Sequence, residues 1–355
     1  MTRAAPFGVY VHVPFCRTRC DYCAFATWTD RPHLIGDYLT AVGTDIERAV
    51  AAGMEPATSV FVGGGTPSLV PPAELAAVLA AIPLADGAEV TVECNPDDVT
   101  QELLETYVGA GVSRVSIGVQ SMVPHVLAAL GRTHDQANVS RAITAARAVG
   151  LPTFNVDVIY GSTGESLGDW RTTLERLLEL DPPHVSAYAL TVEPGTPLAA
   201  DPARHPDDDM QAEEYELADE LLAAAGLANY EVSNWARPGH ECRHNLLYWG
   251  QHDYLGFGCA AHSHRAGRRW WNVRTPERYI EAVRAHRSPE AAGETLDAED
   301  RRVEGLQLAL RTTAGVPVDA LDGDELPGLV ERTGDRWTLT RRGRLLANEV
   351  SVRLR

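Results

Sequence analysis

Residues Tyr10 to Phe25 read YVHVPFCRTRCDYCAF. Cys16, Cys20 and Cys23 stand in a C-x3-C-x2-C array, and the run then stops one thiol short of a complete set. Three thiolates on one short loop can bind zinc, hold an iron–sulfur cluster or do nothing. Structural zinc takes four protein ligands, often as two separated pairs. No second close Cys/His pair follows within the loop, and Cys94, Cys242 and Cys259 are scattered. A cubane cluster also usually takes four cysteines. With three, one iron keeps an open coordination site, and an open site on a metal centre means chemistry or ligand exchange. Chance clustering of buried thiols is the bland alternative, and cysteine usage in cytosolic chains weighs against it.

Working outward, the array follows an apolar segment, Phe7–Val13, which reads as a first strand. Further strands are expected over Ser59–Val62, Glu89–Cys94, Arg114–Val119, Thr153–Ile159 and His184–Leu190. Helical runs lie between them, over Leu34–Ala52, Ala73–Ala81, Gln101–Ala110, Gln136–Val149 and Asp169–Leu180. The strands are β-branched and mostly lack polar alternation, as in a parallel sheet covered on both faces. Such a series predicts a complete or partial (β/α) barrel, with its chemistry at the C-terminal ends of the strands. GGGTP, ECNPDD, VQS and the Asp157–Gly161 stretch fall there.

The pattern changes after about residue 196. Pro197–Asp209 reads as a loop, Asp208–Ala225 as an acidic helix, and residues 230–275 are rich in aromatics and histidine. From Asp297 onward a helix over Ala298–Arg311, the strand-like RWTLT and a helix from Arg342 suggest a small winged-helix-like module. With ten Arg against eleven Asp/Glu, that segment has no basic excess and reads as a packing or interaction domain. The expected division is therefore 1–230, a connecting region 231–296, and 297–355.

Charge and composition narrow the functional classes. The net charge of −18 argues against nucleic-acid and acidic-membrane partners. All 31 basic residues are arginine, so Schiff-base chemistry, pyridoxal phosphate attachment and a P-loop lysine are excluded. No hydrophobic run suits a bilayer and no signal-peptide pattern is seen, which makes the cytoplasm the expected compartment.

The array, placed after a first strand, resembles the radical S-adenosylmethionine (SAM) superfamily, which implies SAM as exchangeable ligand of a [4Fe–4S] cluster on Cys16, Cys20 and Cys23. In chain order YVHVPFCRTRCDYCAF, VGGGTPS, ECNPDD, SIGVQS, LGRTH and NVDVIYG resemble its coproporphyrinogen-oxidase-like branch. The resemblance implies a partial (β/α)6 TIM-like barrel and a SAM site made by Tyr10, Gly64, Gly65, Thr66, Glu93, Gln120, Arg132 and Asp157. Glu93 and Asp157 can accept from ribose hydroxyls or the ammonium group, and Arg132 can clamp a carboxylate. His12 is either a proton donor or a strand residue. Within the branch, oxygen-independent coproporphyrinogen III oxidases of porphyrin biosynthesis carry a further cysteine where this chain has Phe25. The haem-chaperone relatives have phenylalanine there, and an H-N-x-x-Y-W motif that HNLLYW, His244 to Trp249, matches.

That resemblance implies a haem-binding, haem-transferring protein with an acceptor partner, the oxidase being the alternative. Imidazole suits iron, so His244 is a candidate axial ligand, and Tyr248 and Trp249 suit stacking on a porphyrin, with Asn245 between them. The same motif also reads as a turn whose aromatics pack in the core. His240, His252, His262, His264 and Cys242 are competing ligands. Whether the chain is an enzyme is left open, and a homodimer is one arrangement the resemblance allows.

Overall fold

The computed structural model describes residues 5–355. Six parallel strands stand side by side in chain order: β1 (Phe7–Val13), β2 (Ala57–Gly64), β3 (Leu84–Cys94), β4 (Arg114–Gln120), β5 (Thr153–Tyr160) and β6 (His184–Ala189). The crossovers contain α1 (Ile35–Ala51), α2 (Pro72–Ala80), α3 (Gln101–Gly109), α4 (Pro124–Ala129), α5 (Gln136–Ala148) and α6 (Leu167–Glu179). This is an open, partial (β/α)6 barrel, as the strand–helix alternation predicts. The six-residue α4 had no counterpart in the sequence reading; it is too short to show a periodic face. Strand β3 begins at Leu84 rather than Glu89, because its first residues, Leu84–Gly87, lie towards solvent and carry no alternation to betray them. Helix starts follow side-chain chemistry: Ser166 and Asp169 form a reciprocal capping box on α6, and Thr100 and Asp135 cap α3 and α5.

Polar alternation is present after all on the inner face. Register pairs Tyr10 with Phe61, Phe61 with Thr91, and Thr91 with Arg114 in one layer. The next layer joins Glu93, Ser116 and Asn155, and above it Gly118, Asp157 and Ser186 align. The intervening residues, Val9, Val60, Val92, Ile117, Val156 and Val185 among them, are buried under the helices and form the main core. Reading the strands as mostly without polar alternation missed this, since the apolar outer face dominates the composition.

The sheet continues past both ends of this partial barrel. After α7 (Asp208–Ala224), the hairpin β7 (Ala228–Glu231) and β8 (Asn234–Ala236) adds antiparallel strands beside β6. Helix α8 (Arg243–Trp249) follows, and then β9 (Asp253–Phe257) lies parallel to β1. Strands β10 (His262–Arg265), β11 (Arg268–Asn272) and β12 (Glu290–Thr295) extend that edge, with α9 (Pro276–Arg284) before β12. Residues 231–296, expected as a connection, thus supply strands to one twelve-stranded sheet. The C-terminal part, α10 (Ala298–Leu310), β13 (Val316–Pro317), β14 (Val330–Thr333), β15 (Arg336–Leu339), α11 (Arg341–Leu345) and α12 (Ala347–Ser351), has its own three-stranded sheet and small core around Leu310, Leu321 and Val350. It docks through Asp219 of α7, buried, which accepts from Arg341 and Arg344 at 2.5 and 2.9 Å.

Candidate functional site

The loop bearing Cys16, Cys20 and Cys23 leaves the C-terminal end of β1 and is tied down from several sides. Cys16 N–H donates to Trp28 O and Trp28 N–H to Pro14 O, at 3.1 and 2.8 Å. Arg17 pairs with Asp98 at 2.6 Å, and Arg204 with Asp21 at 2.9 Å. Thr66 Oγ1 donates to Cys16 Sγ at 3.6 Å, and Arg132 Nη1 points at Cys20 Sγ at 3.7 Å. All three thiols are free and partly exposed. Burial pushes the Cys16 and Cys23 thiols up, and neighbouring thiols in the array add to the rise. Three thiolates so close are costly unless a cation lies among them. Among the described residues no three His, Cys, Asp or Glu side chains converge on one ion. Thiols of a cubane each bind a different iron, and three free cysteines on one loop can supply such a set.

Around the loop lie the glycine-rich turn and the end of β4. A Cβ on Gly65 would meet Phe15 O at 2.7 Å and Val13 O at 2.8 Å, so only glycine lets the two backbones meet there. The Gly65 and Thr66 N–H groups donate to these same two carbonyls, Val13 O and Phe15 O, each at 2.8 Å. Gly64, at φ 107°, packs against the His12 ring, and its N–H donates to Glu93 Oε2 at 3.1 Å. The glycines answer to this close approach and to a left-handed backbone, not to a simple β-turn. Gln120 holds a left-handed backbone at φ 58°, and its buried Oε1 has no partner. Arg132 Nη2 donates to Gly118 O at 2.9 Å, which brings Arg132, Gln120 and Cys20 to one place. Strain and an orphaned acceptor side by side are marks of a ligand site.

Inside the barrel is a cavity of about 250 Å³. Tyr10, Gly64, Glu93 and Asp157 line it, with Phe25 at the cysteine-loop end. Burial, then the charge of Asp157, pushes the Glu93 carboxyl up to about 8. Burial also raises Asp157, against hydrogen bonds from Ser116 and Asn155 that pull it down. Two buried carboxyls without an ion pair suit a ligand that brings cationic or hydroxyl donors. Both ring nitrogens of His12 are engaged: its Nε2–H donates to Ala26 O at 2.9 Å and its Nδ1 accepts from Tyr10 OH at 3.0 Å. Burial lowers its pKa, leaving it neutral.

The HNLLYW motif is α8, at the opposite end, where the strands begin. Its main-chain N–H groups of Arg243 and His244 donate to Glu89 Oε1 at 2.9 and 3.3 Å. His244 is fully buried, stacked on Phe61, with Ser59 Oγ at Nδ1 and Tyr248 OH at Nε2, both 2.9 Å away. Burial pushes its pKa down to about 3. Both ring nitrogens are therefore engaged, and no nitrogen of His244 is offered to an iron in this conformation. Asn245 and Tyr248 share the cavity floor with it. Trp249 does not: it faces the C-terminal module, with the Arg311 guanidinium 4.9 Å from its ring centre. The structure thus groups the cysteines with Thr66, Gln120 and Arg132, and groups Tyr10, Glu93 and Asp157 with the floor motif across one cavity.

Sequence reasoning passed over Arg114, Ser116, Asn155, His184, Ser186 and Tyr188, which complete the cavity wall. The signal existed: in RVSIGV, TFNVDV and HVSAY each polar residue sits two places from the next.

The sequence pattern of the Radical SAM superfamily matches residues 10–177. A heme chaperone HemW of Mycobacterium tuberculosis is 44% identical, covering 97% of this chain and 94% of that one. A heme chaperone HemW of Escherichia coli is 36% identical, covering 99% and 98%. Among solved structures, coproporphyrinogen III oxidase (HemN) of Escherichia coli, described as a radical SAM enzyme, superposes with TM-score 0.85 at 22% identity, over 98% of this chain and 89% of that one. The last likeness speaks for the fold alone. Among the described residues no helix is long and apolar enough to cross a membrane. Related to these chaperones along nearly its whole length, the chain belongs to the HemW family of the radical SAM superfamily.

Proposed function

We propose that the protein is a haem chaperone, which binds haem and hands it to an acceptor protein. Cys16, Cys20 and Cys23 would hold a [4Fe–4S] cluster, and Tyr10, Gly64, Gly65, Thr66, Glu93, Gln120, Arg132 and Asp157 would hold SAM against its open iron. The cluster supplies a redox-active centre with one exchangeable corner. The protein's own part is positional: Thr66 and Arg132 donate towards the sulfurs, Asp157 would accept from the ligand, and Glu93 faces the same cavity.

The observation that carries this reading is Phe25. It stands where the oxidase branch carries a further cysteine, 67% exposed at the rim of the cavity. A large apolar ring left in water beside a ligand cavity suits contact with a flat apolar partner. The cavity itself, about 250 Å³, is smaller than the roughly 300–1,000 Å³ typical of enclosing ligand sites, which favours a macrocycle held at the rim over one swallowed by the barrel. A rim site also suits a cargo that must leave for another protein.

The test is anaerobic reconstitution with iron and sulfide, haem titration followed by absorption, and incubation with coproporphyrinogen III and SAM. Stoichiometric haem uptake without decarboxylation is expected, and Cys16→Ala should lose the cluster. Steady protoporphyrinogen formation with no haem uptake would overturn the reading in favour of the oxidase.

A further inference from the structure

Behind Asp157 lies a chain of buried hydrogen bonds that runs in one direction. Ser116 Oγ donates to Asp157 Oδ2 and Asn155 Nδ2 donates to Oδ1, each at 2.7 Å. Asn155 Nδ2 also faces Ser116 Oγ at 2.7 Å and Ser186 Oγ at 2.9 Å. Ser186 in turn donates to Asn234 Oδ1 at 2.7 Å. With its NH2 group on these oxygens, Asn155 turns Oδ1 to His184, whose Nδ1 must carry the proton that is donated to it. His184 Nε2 is then the acceptor for Tyr230 OH, at 2.8 Å. That hydroxyl oxygen accepts the Cys242 N–H at 3.2 Å. The reverse amide orientation would set Oδ1 against the Asp157 carboxylate. Asn155, His184 and Tyr230 are 4%, 1% and 7% exposed, so water does not compete for these groups.

We propose that Asn155, oriented by His184 and Tyr230, is a positioning residue that keeps Asp157 an ionised acceptor for the donor groups of SAM in the barrel. This rests on the reading above that Asp157 faces SAM. Desolvation favours the protonated acid at this depth, and a protonated Asp157 would turn one oxygen from acceptor to donor. Two donors on the carboxylate, Ser116 Oγ and Asn155 Nδ2, oppose that. Because His184 is itself neutral, held so by burial and by Arg114 and His240 nearby, the chain is a fixed dipole aimed at Asp157 and not a proton store. The charged and titratable groups facing Asp157 are Glu93 on β3, Arg114 on β4 and Tyr188 on β6. Asp157 pushes Glu93 up, so Glu93 gives up its proton after Asp157, and Arg114 favours the ionised Asp157 without forming an ion pair.

The experiment compares wild type, Asn155→Leu, Asn155→Ser and Asp157→Asn, each reconstituted anaerobically. SAM affinity is followed across neutral pH, and the carboxyl-stretch infrared band of Asp157 is read in SAM-free protein. Loss of a hydrogen bond to a charged group predicts SAM binding about tenfold weaker in Asn155→Leu at neutral pH. Affinity should recover as pH rises, with a protonated Asp157 band absent from wild type. Asn155→Ser, which keeps a donor, should lie between the two. If Asn155→Leu does not fold, Tyr230→Phe shifts both readouts the same way by less. Wild-type affinity, pH profile and infrared band in a folded Asn155→Leu would overturn the proposal. A protonated Asp157 in Asn155→Leu, with SAM affinity unmoved there and in Asp157→Asn, would uphold the donor chain and overturn the SAM contact.

Discussion

Replacing His244 with alanine distinguishes a floor residue from an exposed iron ligand, because the two roles differ in what haem-free protein should do. The imidazole is fully buried, joined to Ser59 and Tyr248, and stacked on Phe61. Its removal strands two buried hydroxyls and opens a small cavity, together about 2–4 kcal/mol of lost stability at neutral pH. A second, sharper quantity comes from acid. The folded pKa is about 3 against an ordinary 6.5, so the folded state holds the ring neutral. Its stabilising effect is whole above pH 6.5 and is lost as pH falls towards 3, because the unfolded chain takes up the proton first. At pH 5 the gap is worth about 2 kcal/mol, from roughly 1.36 kcal/mol per unit. Buried His12, His134 and His184 also have lowered pKa values, so the informative quantity is the difference between wild type and variant. Denaturant melts of haem-free protein at neutral and mildly acidic pH measure it. His244→Ala should melt at lower denaturant and lose less on acidification. An unchanged midpoint and acid response, with the haem absorption gone, would refute the buried-floor account.

Gly65→Ala places a methyl group against two backbone oxygens, and overpacking of about 2–3 kcal/mol at the root of the cysteine loop follows. Iron and sulfide analysis after reconstitution should show a depleted cluster in protein whose helical content is intact. Phe25→Ala should leave iron content unchanged and weaken haem binding about tenfold, the scale of one aromatic contact plus its burial, as read by absorption titration. Asp219→Ala strands Arg344 and frees Arg341. Breaking a buried pair costs about 3–5 kcal/mol, and exposure of Arg341 reduces this to about 2–3. Limited proteolysis should then cut ahead of α10. The arginines and Trp235 hold Asp219 below its ordinary 3.8, so this tie persists above that pH and fails only in stronger acid.

The barrel strands were legible because outward residues such as Val9, Val11, Val60, Val62, Val90 and Val92 are buried under helices, and a doubly covered strand writes itself as an apolar run. The cysteine loop was legible for a chemical reason: three thiols so close have few uses. The role of Asn155 was not, because an asparagine in an apolar strand is chemically mute until its neighbours are known. Only registration of β4, β5 and β6 sets it beside Ser116 and His184. The HNLLYW motif shows the same limit from the other side. Its residue types suit iron and porphyrin, yet packing turns His244 into the barrel floor and Trp249 towards Arg311.

Local chemistry by itself marked the cysteine loop and the glycine turn as candidates, since spacing, glycine and cysteine act over a few residues. The tertiary structure decided which groups share a cavity and which are already satisfied. Those are properties of neighbours distant in sequence, such as Ser59 with His244 or Asn155 with His184, and hydrogen-bond direction and burial exist only once such pairs have met.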